Sequence, residues 1–150
     1  MCDQTLQMTI TPAGRPQAFT FVVVMDYFTL APTDRTPTVI IDPEAGRMEL
    51  SGVAIPENAD RFFTPLHGLV DHYAQAPPER TTVRISLTYF NSSSAKYLLD
   101  LFRQWEDVHA LGATKVTVEW CHARGDLDMR EAGMDYRNLL EIPVKLVELD

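Results

Sequence analysis

Asn91 is followed by three consecutive hydroxyl side chains, Ser92, Ser93 and Ser94, at the point where an alternating apolar stretch gives way to a helical stripe. A strand that stops at such a loop and feeds a helix leaves several backbone N–H groups unpaired, and the positive end of the helix dipole points at the loop. A serine there tolerates added negative charge. Phosphorylation would add about −1.5 to −2 charge units and three acceptor oxygens, offset by those N–H groups and by Lys96 one turn further on. The plainer reading is helix capping, worth about 1 kcal/mol, although three hydroxyls exceed what one cap requires.

A second constellation is acidic: Asp126, Asp128, Glu131 and Asp135, with His122 close by. Carboxylates at this density suggest a divalent-cation site, and with it a small metal-assisted enzyme using Asp126, Asp128 and Glu131. The spacing lacks the glycine and terminal glutamate of a calcium loop, and acidic residues opening a helix are ordinary dipole partners or a docking surface. His67 and His72 are not at the i, i+4 spacing that shares a helical face, and His109 and His122 lie far away in sequence. The chain contains no glycine-rich phosphate loop, no Gly-x-Ser-x-Gly elbow and no cysteine set at zinc spacing. Glu57 or one of the later carboxylates could serve as an acid or base, but no burial signal selects it.

These residues must be positioned by the surrounding elements. Thr38 to Ile41 is β-branched, Asp42-Pro43-Glu44-Ala45-Gly46 is turn chemistry, and Arg47 to Val53 alternates, which predicts a hairpin. Thr64-Pro65 has the form of a cap and first helical residue, and Leu66, Leu69, Val70 and Tyr73 continue at helical spacing until Pro77-Pro78. Val83 to Tyr89 alternates as a strand with one face buried. Leu98, Leu99, Phe102, Trp105 and Val108 then form an apolar stripe to about Ala110, closed by Gly112. Val116, Val118 and Trp120 predict another strand and Arg124-Gly125-Asp126 a turn. Asp128 to Asn138 reads as a short irregular helix weakened by Gly133, before a last strand at Val144 to Leu149. Trp105 and Trp120 are core candidates. The order ββαβαβ(α)β predicts an α/β fold: a small single-domain mixed β-sheet with packed helices.

Composition narrows the function classes. The chain has 150 residues, 45% of them hydrophobic, enough for one domain with a full core. Its net charge of −8 repels a nucleic-acid backbone. No apolar run approaches the roughly 20 residues of a membrane span. Cys2 and Cys121 are the only thiols and form no disulfide framework, which points to the cytoplasm. Asp3 and Arg15 are the only charges in the first 24 residues, so the whole net charge falls on residues 25–150. The expectation is a weakly packed N-terminal extension over residues 1–24, with Phe21 to Val24 as one short added strand or an edge strand, and Met25 as a conceivable start.

Ser51-Gly52-Val53-Ala54-Ile55-Pro56-Glu57-Asn58-Ala59, Phe62-Phe63-Thr64-Pro65, Tyr89-Phe90-Asn91-Ser92-Ser93-Ser94-Ala95-Lys96 and Trp120 through Asp126-Leu127-Asp128-Met129 together resemble the biofilm-regulation phosphoprotein SiaC family. The likeness runs from about Asp26 to Asp150. It implies a STAS-like fold, like that of anti-sigma-factor antagonists, in a non-enzymatic partner switch without a cofactor. A protein kinase phosphorylates one hydroxyl, a metal-dependent protein phosphatase removes the phosphate, and the unmodified form binds and activates a diguanylate cyclase in cyclic-di-GMP signalling. The family commonly has threonine directly after the asparagine; here that position is Ser92, which keeps the hydroxyl and lacks the methyl. The resemblance therefore makes Ser92 the phosphoacceptor, Ser93 and Ser94 caps or contacts, and Asn91 and Lys96 part of the partner surface. Glu57 and Asn58 either shape the turn before the first helix or border that surface.

Overall fold

The computed structural model describes residues 6–10 and 21–150. Residues 1–5 and 11–20, and with them most of the expected extension, lie outside the described residues. Leu6–Ile10 (β1) and Phe21–Met25 (β2) pair antiparallel as a two-stranded sheet of their own. The apolar run near Phe21 therefore has a strand partner, Leu6–Ile10, that the sequence pattern did not single out.

The main sheet has six strands in chain order. Phe28–Leu30 (β3), Thr38–Asp42 (β4) and Arg47–Ala54 (β5) form an antiparallel meander. Arg80–Phe90 (β6), Lys115–Ala123 (β7) and Val144–Leu149 (β8) extend it in parallel. The parallel crossovers carry Ala59–Tyr73 (α1), Ser92–Ala110 (α2) and Leu127–Leu139 (α3). Right-handed crossovers between strands in sequential order put all three helices on one face. Burial agrees: Met48, Leu50, Val83, Ile85, Val118 and Trp120 are buried, while their alternate neighbours Glu49, Arg84, Ser86 and Glu119 are only half-buried. On that polar face Arg84 pairs with Glu119 at 2.8 Å.

The helix stripes complete the core. Phe63, Leu66, Val70 and Tyr73 of α1 and Leu98, Leu101, Phe102 and Trp105 of α2 are buried against the strands. Each large side chain removed from water contributes roughly 1.5–3 kcal/mol. Trp105 and Trp120 are both fully buried, as the apolar patterns predict. The Trp120 indole donates to the Met129 carbonyl at 2.8 Å, pinning the first turn of α3 to β7.

Three local readings are corrected. First, α1 starts at Ala59 rather than at Thr64-Pro65, because the Asn58 side chain accepts the Arg61 N–H at 3.1 Å and makes the cap. Pro65 sits inside the helix, where it removes the bond to the Arg61 carbonyl. Both residues lie on the exposed side of the helix. Second, β3 was not anticipated. Third, α3 is a regular helix in which Gly133 is a close-packing residue: a Cβ there would lie 2.4 Å from Trp120 Cδ1 and 2.6 Å from Leu146 Cδ2. The missing side chain lets α3 lie directly on β7 and β8.

Candidate functional site

The parallel strands β5, β6 and β7 all end at the same edge of the sheet, and each hands over there to a helix N-terminus. Each helix is capped by a short polar side chain. Asn58 caps α1, Asn91 accepts the Ser94 N–H at 2.9 Å to cap α2, and Asp126 accepts the Met129 N–H at 3.1 Å to cap α3. The Asn91 N–H donates to the Ala54 carbonyl at 3.2 Å, which ties the ends of β6 and β5 together. Three motifs far apart in sequence, around Glu57, Ser92 and Asp126, thus meet along one edge.

The cap assignment frees the serines. With Asn91 holding the Ser94 N–H, and the Ala95 N–H bonded to the Asn91 carbonyl at 3.0 Å, no hydrogen bond among the described residues claims the N–H groups of Ser92 and Ser93. Ser92 and Ser93 are exposed. Ser94 is fully buried and its hydroxyl has no partner among the described residues. Ser94 is therefore neither the cap nor a partner contact, a correction to both expectations, because the third position of the first turn faces the sheet. Lys96 is exposed and Asn91 half-buried.

The two exposed serines differ in what lies one turn ahead. Ser92 shares a face with Lys96 at i, i+4. Ser93 shares one with Tyr97, whose hydroxyl donates to Asp60 Oδ1 at 3.2 Å. The i, i+4 neighbour of Ser92 is thus a cation, and that of Ser93 is a phenol already engaged with a carboxylate. Alone of the three helices, α2 has no acidic residue in its first turn, where α1 has Asp60 and α3 has Asp128.

The acidic cluster does not converge. Asp126 is used as a cap, Asp128 and Glu131 are exposed, and His122 is buried with Nδ1 3.3 Å from the Ala123 carbonyl. Among the described residues no group of three or more His, Cys, Asp or Glu side chains is arranged to hold a metal ion. Two further histidines have structural partners: His67 Nδ1 lies 2.6 Å from Gln104 Oε1, and His109 Nδ1 accepts the Val116 N–H at 3.0 Å, while the buried Nδ1 of His72 has no partner among the described residues. Asn58 shapes the start of α1, while exposed Glu57 lines a shallow cleft with Arg35 and Arg61.

A groove between α2 and α3 was not foreseen from the sequence. Its lower part, about 380 Å³, is lined by Ala95, Lys96, Leu99, Ala132, Asp135 and Leu139 among others. A cleft of about 300 Å³ continues it past Phe90 and Ala132 to Tyr89, Asp126 and Asp128. The Tyr136 hydroxyl bridges the two helices by donating to the Ala95 carbonyl at 2.8 Å. Burial, with a smaller contribution from Asp135, raises the Tyr136 phenol far above its ordinary value and keeps that donor protonated.

A family model described as "SiaC family regulatory phosphoprotein" matches residues 30–149, which takes in the whole six-stranded sheet and its three helices apart from the first strand. The chain belongs to the SiaC family of regulatory phosphoproteins. An uncharacterized protein of Pseudomonas aeruginosa (strain UCBPP-PA14) is 26% identical over 111 residues, covering 74% of this chain and 87% of the relative. The crystal structure of apo-SiaC from Pseudomonas aeruginosa superposes with a TM-score of 0.73 at 24% identity, covering 82% of this chain and 99% of that one. A chain in the crystal structure of the diguanylate cyclase SiaD in complex with its activator SiaC, from the same organism, gives 0.75 at 24% identity, covering 81% and 99%. The mixed α/β architecture is thus that of solved SiaC structures. Among the described residues no helix is long and apolar enough to cross a membrane.

Proposed function

We propose that this SiaC-family chain is a non-enzymatic partner switch whose state is set by phosphorylation of Ser92. The observation that carries the reading is the division of labour at the start of α2. Asn91 makes the cap, so the exposed Ser92 hydroxyl is spare, at the positive end of the α2 dipole and one turn ahead of exposed Lys96. A phosphate added there is electrostatically favourable to α2, so the domain keeps its fold while the edge changes sign. A protein kinase adds the phosphate and a metal-dependent phosphatase removes it. The effector is a diguanylate cyclase, by extension from the relative of the same fold that is named as the activator of one. Asn91, Ser93 and Lys96 border the contact. The buried free thiol Cys121 suits a reducing cytoplasm.

Phosphopeptide mapping after incubation with the candidate kinase and labelled ATP tests the site. Ser92→Ala is expected to abolish incorporation with an unchanged circular-dichroism spectrum. Undiminished incorporation in Ser92→Ala, or label mapped to Ser93, overturns the assignment. Ser92→Asp is expected to weaken capture of the cyclase about tenfold through charge at the contact.

A further inference from the structure

Both edges of the main sheet are blunted against further pairing. β3 has three residues and is soon followed by Pro32, and β8 carries exposed Lys145 and Glu148. Short edge strands, proline and edge charge are the means by which sheets avoid pairing with another chain. The ribbon of β1 and β2 has neither proline nor a charged residue within Leu6–Ile10 or Phe21–Met25. β2 lies against α1 and leads through Asp26 and Tyr27 into β3, which leaves β1 as the outer strand, its far edge unpaired among the described residues. A two-stranded ribbon is marginal in water and gains from further strands. This one precedes residue 30, where the match to the family begins, so it is an addition to the shared domain.

We infer that β1 pairs antiparallel with β1 of a second copy of this chain, making a four-stranded sheet in the order β2-β1-β1-β2 across a two-fold axis. The axis stands perpendicular to the sheet, since only then does a strand lie beside its own reversed copy with both ribbons facing the same way. Opposed residues are then an even number apart, and the register that uses all five is centred on Met8. Leu6 stands opposite Ile10 of the second copy, Gln7 opposite Thr9, and Met8 opposite itself. Leu6, Met8 and Ile10 share one face of the ribbon with Met25, Val23 and Phe21, and Gln7 and Thr9 share the other with Val24 and Val22. The symmetric register therefore continues one wholly apolar face across both copies. Charge favours the second copy as occupant. Asp3 and Arg15 cancel within the first 24 residues, so two chains that repel through the −8 on the rest of each meet at β1 with no like charges opposed. Five residues a side fall short of the roughly 1,200–2,000 Å² buried in stable complexes, so the dimer forms and dissociates with concentration.

Sedimentation equilibrium of the full chain from about 5 to 500 μM tests this, with the mass expected to rise from one chain toward two. Association should tighten as salt is raised from about 0.05 to 0.5 M, because screening relieves the repulsion between the acidic bodies while the β1 contact holds no ion pair to screen. Gln7→Lys with Thr9→Lys sets lysine against lysine twice in the symmetric register and should weaken the dimer about tenfold. Gln7→Lys with Thr9→Glu puts the same number of charges into the same strand but sets each lysine against a glutamate, and should restore affinity to within about threefold of the unmodified chain. Leu30→Lys on the β3 edge and Lys145→Glu on the β8 edge should change affinity less than about twofold at physiological salt. A chain that stays monomeric throughout, a dimer loosened by salt, a doubly lysine-substituted chain that associates as tightly as the original, a lysine–glutamate chain no tighter than the lysine–lysine one, or a dimer broken by either substitution on the main sheet each overturn the proposal.

Discussion

At the amino-terminal end of the parallel strands a chain of hydroxyl side chains is sealed inside the domain, whereas past the carboxyl-terminal end of β6 two of three consecutive serines stand in solvent. Thr81, opening β6, lies between the Tyr73 hydroxyl at 2.8 Å and the Thr114 hydroxyl at 2.7 Å, and all three residues are buried. Ser92 and Ser93 have the same functional group and are exposed. A hydroxyl in a buried chain lowers the free energy of the fold; one in water beside an already capped helix contributes almost nothing to it. The second kind can be chemically modified without unfolding the protein. The difference shows where a small domain can place a switch: at an edge where another residue, here Asn91, has already satisfied the backbone.

The largest expected effect attacks the sealed end. Thr81→Val keeps the side-chain shape and deletes the central hydroxyl, leaving those of Tyr73 and Thr114 buried with one partner fewer each. A loss of about 1–3 kcal/mol in urea unfolding is expected. A change within 0.5 kcal/mol, the usual range for a surface substitution, would mean that the two ends are not finished differently.

Raising the pH tests the same contrast with no mutation. Burial raises the Tyr73 and Tyr136 phenols above the ordinary value of 10.0, and burial likewise raises the Cys121 thiol above 9.0. The unfolded chain then releases these protons at lower pH than the folded one. The stability they contribute is fully present below the unfolded values and is lost as pH rises from about 9 through the folded values. Urea midpoints should be level between pH 7 and 8.5 and fall by pH 11. Tyr136→Phe should flatten that fall; an unchanged slope would remove Tyr136 from the account.

Next comes the open end itself. Asn91→Ala removes the cap and should cost about 1 kcal/mol. Because Ser92 and Ser93 do not cap in the native fold, they should restore little of it, and a cost near zero would show that the serines can substitute.

Much of the fold was legible. Val144 to Leu149 was expected as the last strand and is β8; of the stripe, Leu98, Phe102, Trp105 and Val108 are buried in α2. Elements went astray where local chemistry competes with tertiary contact. Thr64-Pro65 looks like a helix start because proline suits a first turn, yet Asn58 caps earlier and the buried stripe from Phe63 outweighs one lost hydrogen bond. β3 has three residues, too few for a period. Gly133 reads as a weak point by propensity and is a contact by packing. At the site, the hydroxyl run was visible because one strand-to-helix junction contains all of it. The division between Ser92 and Ser94 was not, since it depends on which side of α2 meets the sheet. Nor was the groove, whose walls at Leu99 and Leu139 come together only when two crossovers lay their helices side by side.

The smallest expected change is at Ser92. Ser92→Ala deletes an exposed hydroxyl that makes no hydrogen bond among the described residues, and alanine is the better helix former, so stability should move by less than about 0.5 kcal/mol in either direction. Phosphorylated protein should melt no lower than unmodified protein, because the phosphate faces the helix N-terminus and Lys96; at low ionic strength it should melt slightly higher, by an amount that added salt screens. Differential scanning calorimetry of the two forms at low and at physiological salt reads this directly. A phosphorylated form that melts several degrees lower at both salt concentrations would mean that modification loosens α2, and that the switch works by local unfolding rather than by a change of charge on an intact surface.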